Sequence, residues 1–244
     1  MIINMWSGPR NLSTALMRSF ENRIDTEVWD EPLYAYYLKE TKTNHPMSDE
    51  IINTYKTNIN ELITNMTKKN KYNKILYLKQ MTHHLIDKTP IDWINVCKNC
   101  FLIRDPKKVI LSYIKNNNLN NSNDIGYPSQ FKIFKYLQKT KSKVIVINSD
   151  DLINDTKKTL ILLCKSLNIK YTNEMLKWPT GSRSSDGIWG KVWYKKLIQS
   201  SSFQKEDKKN TINFPSKYSF IYEECLRIYE ELNSYNLNKK YKIN

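Results

Sequence analysis

Five short apolar runs recur along the chain, each followed by a longer stretch in which apolar residues are spaced differently. The runs occupy residues 2–6, 27–29, 74–79, 100–104 and 143–147. Short apolar runs bounded by polar residues predict buried β-strands. We therefore expect about five strands that are covered on both faces.

Helical patterns separate these predicted strands. Residues 49–66 carry apolar side chains at i, i+3 and i+4, which is the spacing of an amphipathic helix. Further helices are predicted at residues 12–22, from Pro106 onward, at about 155–167 and at 218–232. This alternation predicts an α/β fold, a mostly parallel sheet flanked by helices in a P-loop-like three-layer sandwich. Sheets of this kind bind ligands at the carboxyl ends of their strands.

The chain shows no seam between domains, so residues 1–244 are predicted to form a single domain. Residues 170–244 are less regular, and we expect them to cover the ligand site. The last predicted helix has Phe220 and Cys225 among its apolar positions. The Asn-rich residues 116–123 are predicted to form a mobile surface loop.

The formal net charge of +15 arises from 39 lysine and arginine residues against 24 aspartate and glutamate residues. The lysines are scattered and their densest runs are short, so a solvated surface accounts for the charge better than a nucleic-acid footprint does. The positive field would still attract a polyanionic small molecule. We therefore expect a small-molecule partner, and neither nucleic acid nor a membrane surface.

Four cysteines in a chain of this length do not make a disulfide framework. Cys97 and Cys100 form a C-x-x-C pair, but no second Cys/His pair completes a zinc set, so buried thiols are favoured over metal or redox chemistry. The apolar start has five residues and no basic leader, and no run approaches the roughly 18 apolar residues of a membrane span. These features predict a soluble cytoplasmic protein without a metal site.

The stretch WSGPRNLSTALM, residues 6–17, joins the first predicted strand to the first predicted helix. A strand that leads through a short turn into a helix presents backbone N–H groups at the positive end of the helix dipole, which favours a phosphate. Gly8 allows a tight turn, Arg10 adds a cation, and Ser13 and Thr14 add hydroxyl donors. The nucleotide P-loop pattern G-x-x-x-x-G-K-[ST] lacks its second Gly and its Lys here. A plain capped helix is the alternative explanation of the two hydroxyls.

The stretch FLIRDPKKVILSYI, residues 101–114, is a second candidate for phosphate binding. Arg104 ends the fourth predicted strand, and Ser112 lies eight residues later on the helix that follows. The two can hold one phosphate, the Arg as a charge-assisted fork and the Ser as a short donor. An Arg–Asp pair followed by a proline at the helix start is the alternative.

Together the two stretches resemble the sulfotransferase superfamily, whose sulfuryl donor is 3′-phosphoadenylyl sulfate (PAPS). The first resembles the family pattern P-[KR]-x-x-[ST]-T, and the second resembles R-[DN]-P-x-x-[AV]-x-x-S-x-Y; residues 147–169 are similar to the family segment around Y-E-D-L. The resemblance therefore covers residues 1 to about 170. It implies that the donor's 5′-phosphosulfate is held by Pro9, Arg10, Asn11, Ser13 and Thr14, and its 3′-phosphate by Arg104 and Ser112.

The chain departs from the family pattern at several positions. Leu12 stands where many members have Gly, and Asn148-Ser149 replaces the usual residues before D-D-L. The family's late R-K-G element is only hinted at in residues 182–197, where Arg183, or else Lys191 or Lys195, is the candidate for the 3′-phosphate. In the same stretch, Trp189 and Trp193 are interpreted as lid or core aromatics.

The resemblance also implies catalytic residues. Arg10 is the first candidate for the cation that faces the bridging oxygen, and Lys79 lies where many cytosolic members carry a catalytic Lys, although a strand-capping Lys is an equal explanation. Cytosolic members have a His where this chain has Met81. We prefer Glu31 as the base, as in other branches of the superfamily, over His83 or His84, with Asp30 in reserve.

The leading hypothesis is a PAPS-dependent sulfotransferase that acts on a small hydroxyl- or amine-bearing acceptor, releases adenosine 3′,5′-bisphosphate (PAP) and needs no metal. The alternatives are a kinase-like phosphotransferase and a non-catalytic binding protein that kept the nucleotide fold. The acceptor is expected between residues 33–46 and 189–203, in a partly apolar pocket.

Overall fold

The computed structural model describes residues 1–68, 74–204 and 213–241. Its centre is a sheet of five strands, β1 (Ile2–Ser7), β2 (Thr26–Asp30), β3 (Ile75–Met81), β4 (Lys98–Ile103) and β5 (Val144–Asn148). Every neighbouring pair is parallel, and the strand order is β2-β3-β1-β4-β5. The predicted α/β class and the parallel sheet are confirmed.

The strands alternate between two hydrophobic cores, as the period-two geometry of a strand requires. In β1, Ile3 and Met5 face one core and Trp6 faces the other. In β4, Cys100 and Leu102 face the first core, and Phe101 and Ile103 face the second. Helices cover both faces, which gives the expected three layers. They are α1 (Ser13–Glu21), α2 (Tyr34–Thr41), α3 (Ser48–Thr54), α4 (Ile59–Thr67), α5 (Pro106–Tyr113), α6 (Tyr127–Lys139), α7 (Ser149–Asn154), α8 (Thr156–Leu167), α9 (Gly190–Trp193), α10 (Ser219–Ser234) and α11 (Leu237–Lys240).

The single helix predicted at residues 49–66 is wrong, because two helices, α3 and α4, occupy this stretch. Tyr55 ends α3 in an extended conformation, with φ −112° and ψ 156°. Asn58 then caps α4, where its side chain accepts a hydrogen bond from the Glu61 N–H at 3.1 Å. Each helix buries its own apolar face, Ile51 of α3 in one hydrophobic cluster and Leu62 and Met66 of α4 in another, so apolar periodicity alone did not reveal the break.

The Asn-rich segment after α5 has the predicted irregular course, but it is anchored to the fold. Leu119 and Ser122 are buried, and residues 122–125 form a 3₁₀ turn. Asn121 and Asp124 cap this turn reciprocally. Mobility of the segment stays a prediction.

The C-terminal part is irregular up to α10, as expected. In α10, Cys225 is buried, whereas Phe220 is 80% exposed and so contributes nothing to the core. That residues 1–244 form one domain stays a prediction. Within the described ranges, no helix has both the length and the apolar character that crossing a membrane requires.

The four cysteines are free thiols and all are buried, which confirms the sequence interpretation. Burial raises the pKa of the Cys97 thiol to about 12 and that of Cys100 well above its usual range. A thiol that stays protonated is a poor nucleophile and a poor metal ligand. The C-x-x-C pair is therefore part of the core.

Candidate active site

Parallel pairing places the carboxyl ends of all five strands at one edge of the sheet. Asp30 on β2 pairs with Lys79 on β3, which in turn pairs with Met5 on β1. On the other side of β1, Ile103 of β4 pairs with Asn148 of β5. With neighbouring strands about 4.8 Å apart, the end of β2 lies roughly 10 Å from that of β1. The candidate residues from both motifs therefore meet at this edge.

The loop between β1 and α1 is shaped by unusual backbone angles. Arg10 and Leu12 adopt left-handed conformations, with φ of 65° and 66°. The tight turn predicted at Gly8 is thus made at these two residues instead. Gly8 has a different necessity, since a Cβ there would lie 2.2 Å from the carbonyl oxygen of Ile125. Leu12 thus has a left-handed backbone, a conformation that glycine adopts without strain.

The loop hydroxyls are not used as helix caps. Leu12 is the N-cap of α1 and makes no side-chain capping bond. Ser13 is buried and Thr14 half-buried at the first turn. Among the described residues, no hydrogen bond engages either hydroxyl, so the alternative explanation by capping does not hold. Both remain available to an anion at the positive end of α1.

Asn11 anchors the loop to β4 and to the residue that follows β5. Its Nδ2 donates to the carbonyl oxygen of Leu102 at 3.4 Å, and its own carbonyl accepts from Ser149 Oγ at 2.7 Å. Ser149 Oγ is also 3.0 Å from the carbonyl oxygen of Ile103. Ser149, which departs from the family pattern, therefore fastens β5 to the loop. Neighbouring Pro9 is half-buried beside Arg10.

The second motif joins the loop directly. Arg10 Nε donates to Ser112 Oγ at 3.0 Å, and an Arg104 guanidinium N–H donates to the Arg10 carbonyl at 2.7 Å. Burial lowers the pKa of both guanidinium groups, because their positive charges are partly removed from water. Asp105 caps α5 and Pro106 lies in its first turn. The alternative explanation of this motif, an Arg–Asp pair followed by a proline at a helix start, therefore accounts for these two residues but not for Arg104 and Ser112. An anion would be attracted to the two arginines.

Arg183 does not lie near Arg10, Arg104 and Ser112. It donates to Glu21 Oε2 at 2.8 Å, at the last residue of α1. A helix of nine residues is about 13 Å long, so Arg183 lies at the opposite end of α1 from Arg10. There, Arg18 binds both Glu21 and Asp186, the latter at 2.5 Å, and the four side chains fasten the chain after residue 182 to α1. The other candidates, Lys191 and Lys195, are exposed.

Lys79 lies in a buried polar cluster at the end of β3, with a side chain that is 2% exposed. Its Nζ donates to Asp30 Oδ1 at 2.9 Å, to Glu31 Oε1 at 2.5 Å and to Tyr194 Oη at 2.7 Å. The two carboxylates raise the pKa of Lys79 well above its usual value despite the opposing effect of burial. The explanation of Lys79 as a simple strand cap does not fit these contacts.

Asp30 uses its oxygens to dock a remote segment. Its Oδ2 accepts hydrogen bonds from the Gly187 N–H at 3.2 Å, from Trp189 Nε1 at 3.1 Å and from Tyr194 Oη at 2.8 Å. With Lys79 on the other oxygen, this carboxylate is fully engaged. Asp30 is therefore a poor reserve base.

Glu31 lies beside this cluster with a left-handed backbone, φ 44°. Its N–H donates to the Lys79 carbonyl at 3.0 Å, and its Oε2 is 3.9 Å from His84 Nδ1. Burial is the main cause that raises the pKa of Glu31, and the charge of Lys79 opposes it. A carboxylate whose pKa is raised is a better proton acceptor than an ordinary one.

His84 lies close to Glu31 and His83 packs against His84, but both imidazoles are weakly basic. Burial lowers the pKa of His83 to about 3 and that of His84 well below its usual value. Within the part of the chain that the structure describes, neither Nδ1 has a hydrogen-bond partner. His84 is stacked between Tyr34 and Tyr37, with ring centroids 4.6 and 4.7 Å away. Both rings stay neutral at physiological pH and hold a proton poorly.

A cavity of about 200 Å³ adjoins Glu31. The segments that were expected to enclose an acceptor, residues 33–46 and 189–203, pack against each other in one hydrophobic cluster, in which Trp189 is core. Trp193 is 36% exposed. This cluster forms one wall of the cavity, through Ala35, Tyr55 and Trp189. The residues that line the cavity are Trp29, Asp30, Glu31, Pro32, Ala35, Thr54, Tyr55, Lys56, Leu62 and Trp189.

Sequence reasoning missed two members of the site. Tyr194 is 115 residues away from Lys79, and no spacing in the sequence relates the two. Ser149 was seen only as a departure from a pattern, although a small hydroxyl after a buried strand is a signal for a bond to a neighbouring carbonyl. In the described ranges, no group of three or more His, Cys, Asp or Glu side chains is arranged to hold a metal ion.

Comparison with known proteins adds to this geometry. The family model for a sulfotransferase domain matches residues 1–211. Two curated Arabidopsis thaliana proteins are similar: branched-chain-amino-acid aminotransferase-like protein 1 is 33% identical over 96% of this chain, and protein 2 is 31% identical over 98%. The chain spans 42% of the length of each. Their names describe those longer proteins.

Three solved structures share the fold. The sulfotransferase domain of the Synechococcus olefin synthase has a TM-score of 0.63 at 17% identity, over 94% of this chain and 93% of that one. The sulfotransferase domain from the curacin biosynthetic pathway has a TM-score of 0.60 at 15% identity, over 95% and 97%. A sulfotransferase from Alicyclobacillus acidocaldarius has a TM-score of 0.56 at 10% identity, over 97% of each chain. Because the family model covers most of its length, the chain belongs to the sulfotransferase domain family.

Proposed function

We propose that the protein transfers a sulfuryl group from PAPS to a hydroxyl or amine acceptor and releases PAP. The observation that carries the proposal is the meeting of the two predicted phosphate sites, where Arg10 Nε contacts Ser112 Oγ and Arg104 binds the Arg10 carbonyl. Two partly desolvated arginines beside the N-terminus of α1 fit a ligand with two separate anionic groups.

On the donor side, the residues of the chain bind and orient PAPS. Ser112, Arg104 and Arg10 are suited to the 3′-phosphate, since they already touch one another. The N–H groups of the first turn of α1, with the unused hydroxyls of Ser13 and Thr14, are suited to the phosphosulfate. A role of Arg10 at the bridging oxygen, as the family resemblance implies, requires its side chain to leave Ser112.

On the acceptor side, Glu31 is the proposed general base. The acceptor oxygen or nitrogen forms a bond to sulfur, the bond from sulfur to the bridging oxygen breaks, and PAP leaves with that electron pair. The acceptor proton goes to Glu31, whose raised pKa suits this step better than the weakly basic His83 and His84. Lys79 supplies the positive charge that favours the ionised carboxylate before the reaction.

The cavity beside Glu31 supports a small acceptor. Its volume of about 200 Å³ lies below the range of roughly 300–1,000 Å³ that drug-sized ligands occupy. Trp29, Tyr55 and Trp189 make much of its wall aromatic, and Glu31 contributes a carboxylate. A compact, partly apolar alcohol or amine fits this lining better than a sugar, which needs many polar partners.

Thermal unfolding with PAP tests the donor site. At about one hundred times its dissociation constant, PAP adds roughly 2.7 kcal/mol, which raises the midpoint by about 5 to 10 °C. We expect the rise in the wild type and in Arg227→Ala, which removes an exposed arginine on α10, and its loss in Arg104→Ala. No rise with PAP would contradict the proposal. A rise with ATP–magnesium alone would favour a phosphotransferase instead.

A further inference from the structure

Lys79 has no N–H left for a donor phosphate. An ammonium group has three donors, and Lys79 gives them to Asp30, Glu31 and Tyr194 at 2.5–2.9 Å. The side chain is nearly inaccessible to solvent. Burying an ammonium group is costly unless it is paired and hydrogen-bonded, and here each requirement is met by oxygens of the protein itself.

We propose that Lys79 acts as the counter-ion of Glu31 rather than as a cation on the sulfuryl donor, and that Asp30 and Tyr194 are positioning residues that hold it there. The inference rests on the proposed function in one respect, because it takes Glu31 as the base. The assignment differs from the role that the family resemblance implies for Lys79.

Asp30 has a distinct task in this arrangement. With both carboxylates ionised, Asp30, Glu31 and Lys79 together carry one negative charge. When Glu31 takes the acceptor's proton, the three become neutral, and Lys79 still has the ionised Asp30 at 2.9 Å. Without Asp30, proton uptake by Glu31 would leave a buried ammonium without a counter-charge, which is strongly unfavourable. Asp30 therefore makes the protonated state of Glu31 accessible.

Tyr194, from a distant part of the sequence, hydrogen-bonds both Asp30 and Lys79. Its O–H donates to Asp30, and its oxygen accepts from Lys79 at 2.7 Å. Trp189 Nε1, at 3.3 Å from Tyr194 Oη, and the Gly187 N–H bind the same region. The segment that carries α9 thus completes the cluster around Lys79, and its docking sets where the ammonium group lies.

The groups that face Glu31 come from five parts of the chain. Asp30 precedes it on β2, Lys79 lies near the end of β3, His84 follows β3, Tyr34 begins α2 and Tyr194 follows α9. Lys79 and the Tyr194 hydroxyl lower the pKa of Glu31, whereas Asp30 raises it. His84 is neutral. Deleting Lys79 and neutralising Asp30 must therefore shift the pKa of Glu31 in opposite directions.

Carboxyl ¹³C NMR on the full chain, labelled at glutamate, measures this directly without an acceptor. Glu31→Gln assigns the signal. We expect Lys79→Met to raise the apparent pKa of Glu31 by roughly one unit or more, Tyr194→Phe to raise it less, and Asp30→Asn to lower it. Lys132→Met, which removes an exposed lysine paired with Asp87, is the control and should leave the titration unchanged.

Opposite shifts in Lys79→Met and Asp30→Asn establish the counter-ion role. Shifts in the same direction, or no shift in Asp30→Asn, overturn it. Should Lys79→Met fail to fold, the isosteric Asp30→Asn and the ring-preserving Tyr194→Phe still decide the matter, because their expected shifts also oppose each other. The PAP-induced rise in unfolding temperature, measured on the same samples, tests the donor site separately, so a failure of the proposed function is distinguishable.

Discussion

Arg10 Nε donates to Ser112 Oγ across 3.0 Å, although 102 residues separate the two along the chain. Arg10 belongs to the loop after β1, and Ser112 to the last turn of α5. Each motif was a candidate phosphate site by itself, and this contact places the two candidates side by side. A bound phosphate would exchange this bond for charge-assisted bonds to both side chains.

Removing the Ser112 hydroxyl tests which phosphate this site holds. We expect Ser112→Ala to weaken PAP binding roughly 10- to 100-fold, because a hydrogen bond to a charged group contributes about 1.5–3 kcal/mol. Adenosine 5′-phosphate, which lacks the 3′-phosphate, should bind the variant and the wild type equally. Isothermal titration calorimetry measures both, with Ser129→Ala on α6 as the control. Equal losses for the two ligands would contradict the assignment.

The strands and the donor motifs could be predicted from sequence because both depend on neighbours in the chain. An apolar run marks a buried strand, and the first motif sits within a dozen residues. The cluster around Lys79 could not be predicted, since Tyr194 and Asp30 meet only when α9 docks on the sheet edge. The position of Arg183 could not be predicted for the same reason, because its partner Glu21 is 162 residues away in the sequence.

Leu12 has a left-handed backbone conformation, which strains a residue other than glycine. A non-glycine residue in this region costs about 1–2 kcal/mol, and Leu12 has φ 66°. We expect Leu12→Gly to change the free energy of unfolding by less than about 1 kcal/mol, since relief of strain offsets the greater freedom of the unfolded chain. Leu12→Val should destabilise by about 1–3 kcal/mol, because a β-branched residue disfavours this conformation. Urea unfolding compares the wild type with the two variants. A Leu12→Val variant as stable as the wild type would contradict the claim that the backbone at residue 12 is strained.

Gly8 is required by contact rather than by its backbone angles. Its missing Cβ leaves room for the Ile125 carbonyl, which a methyl group would approach to 2.2 Å. We expect Gly8→Ala to lower the free energy of unfolding by about 3 kcal/mol and to abolish the PAP-induced rise. Gly181→Ala is the control for ligand binding: its φ of +106° makes the substitution strained by about 1–3 kcal/mol, but nothing lies within 4 Å of the added methyl, so the PAP-induced rise should persist. Loss of the rise in both variants would contradict this account.

The buried ion pair of Arg18 and Asp186 fastens the C-terminal segment to α1. Their side chains are 1% and 7% exposed, and their nearest atoms are 2.5 Å apart. Arg18 keeps Glu21 as a second partner when Asp186 is removed, so we expect Asp186→Ala to cost about the contribution of one charge-assisted hydrogen bond, roughly 1.5–3 kcal/mol. Glu61→Ala, which breaks the exposed pair with Lys56, should cost less than about 1 kcal/mol. Chemical denaturation gives both values, and a small effect of Asp186→Ala would show that the segment docks without the ion pair.

His83 should make the fold sensitive to mild acid. Its Nδ1 is buried, and its ring packs edge-on against Tyr37 and His84, at centroid distances of 5.5 and 4.5 Å. Burial lowers its pKa from 6.5 to about 3, and the nearby His45 adds to the effect. Between these two values the unfolded chain binds a proton that the folded protein does not, so stability falls as the pH drops below 6.5.

The His83 contribution to this fall amounts to about 2 kcal/mol between neutral pH and pH 5. His83→Phe keeps an aromatic ring and cannot titrate. Between neutral pH and pH 5, the free energy of unfolding of this variant should therefore fall by about 2 kcal/mol less than that of the wild type. The carboxylates act equally in both proteins, so the difference between the two urea-unfolding curves reports on His83 together with its effect on His84. Parallel curves would mean that the folded protein protonates His83 freely, and the ring would then be basic enough to compete with Glu31 for the acceptor's proton.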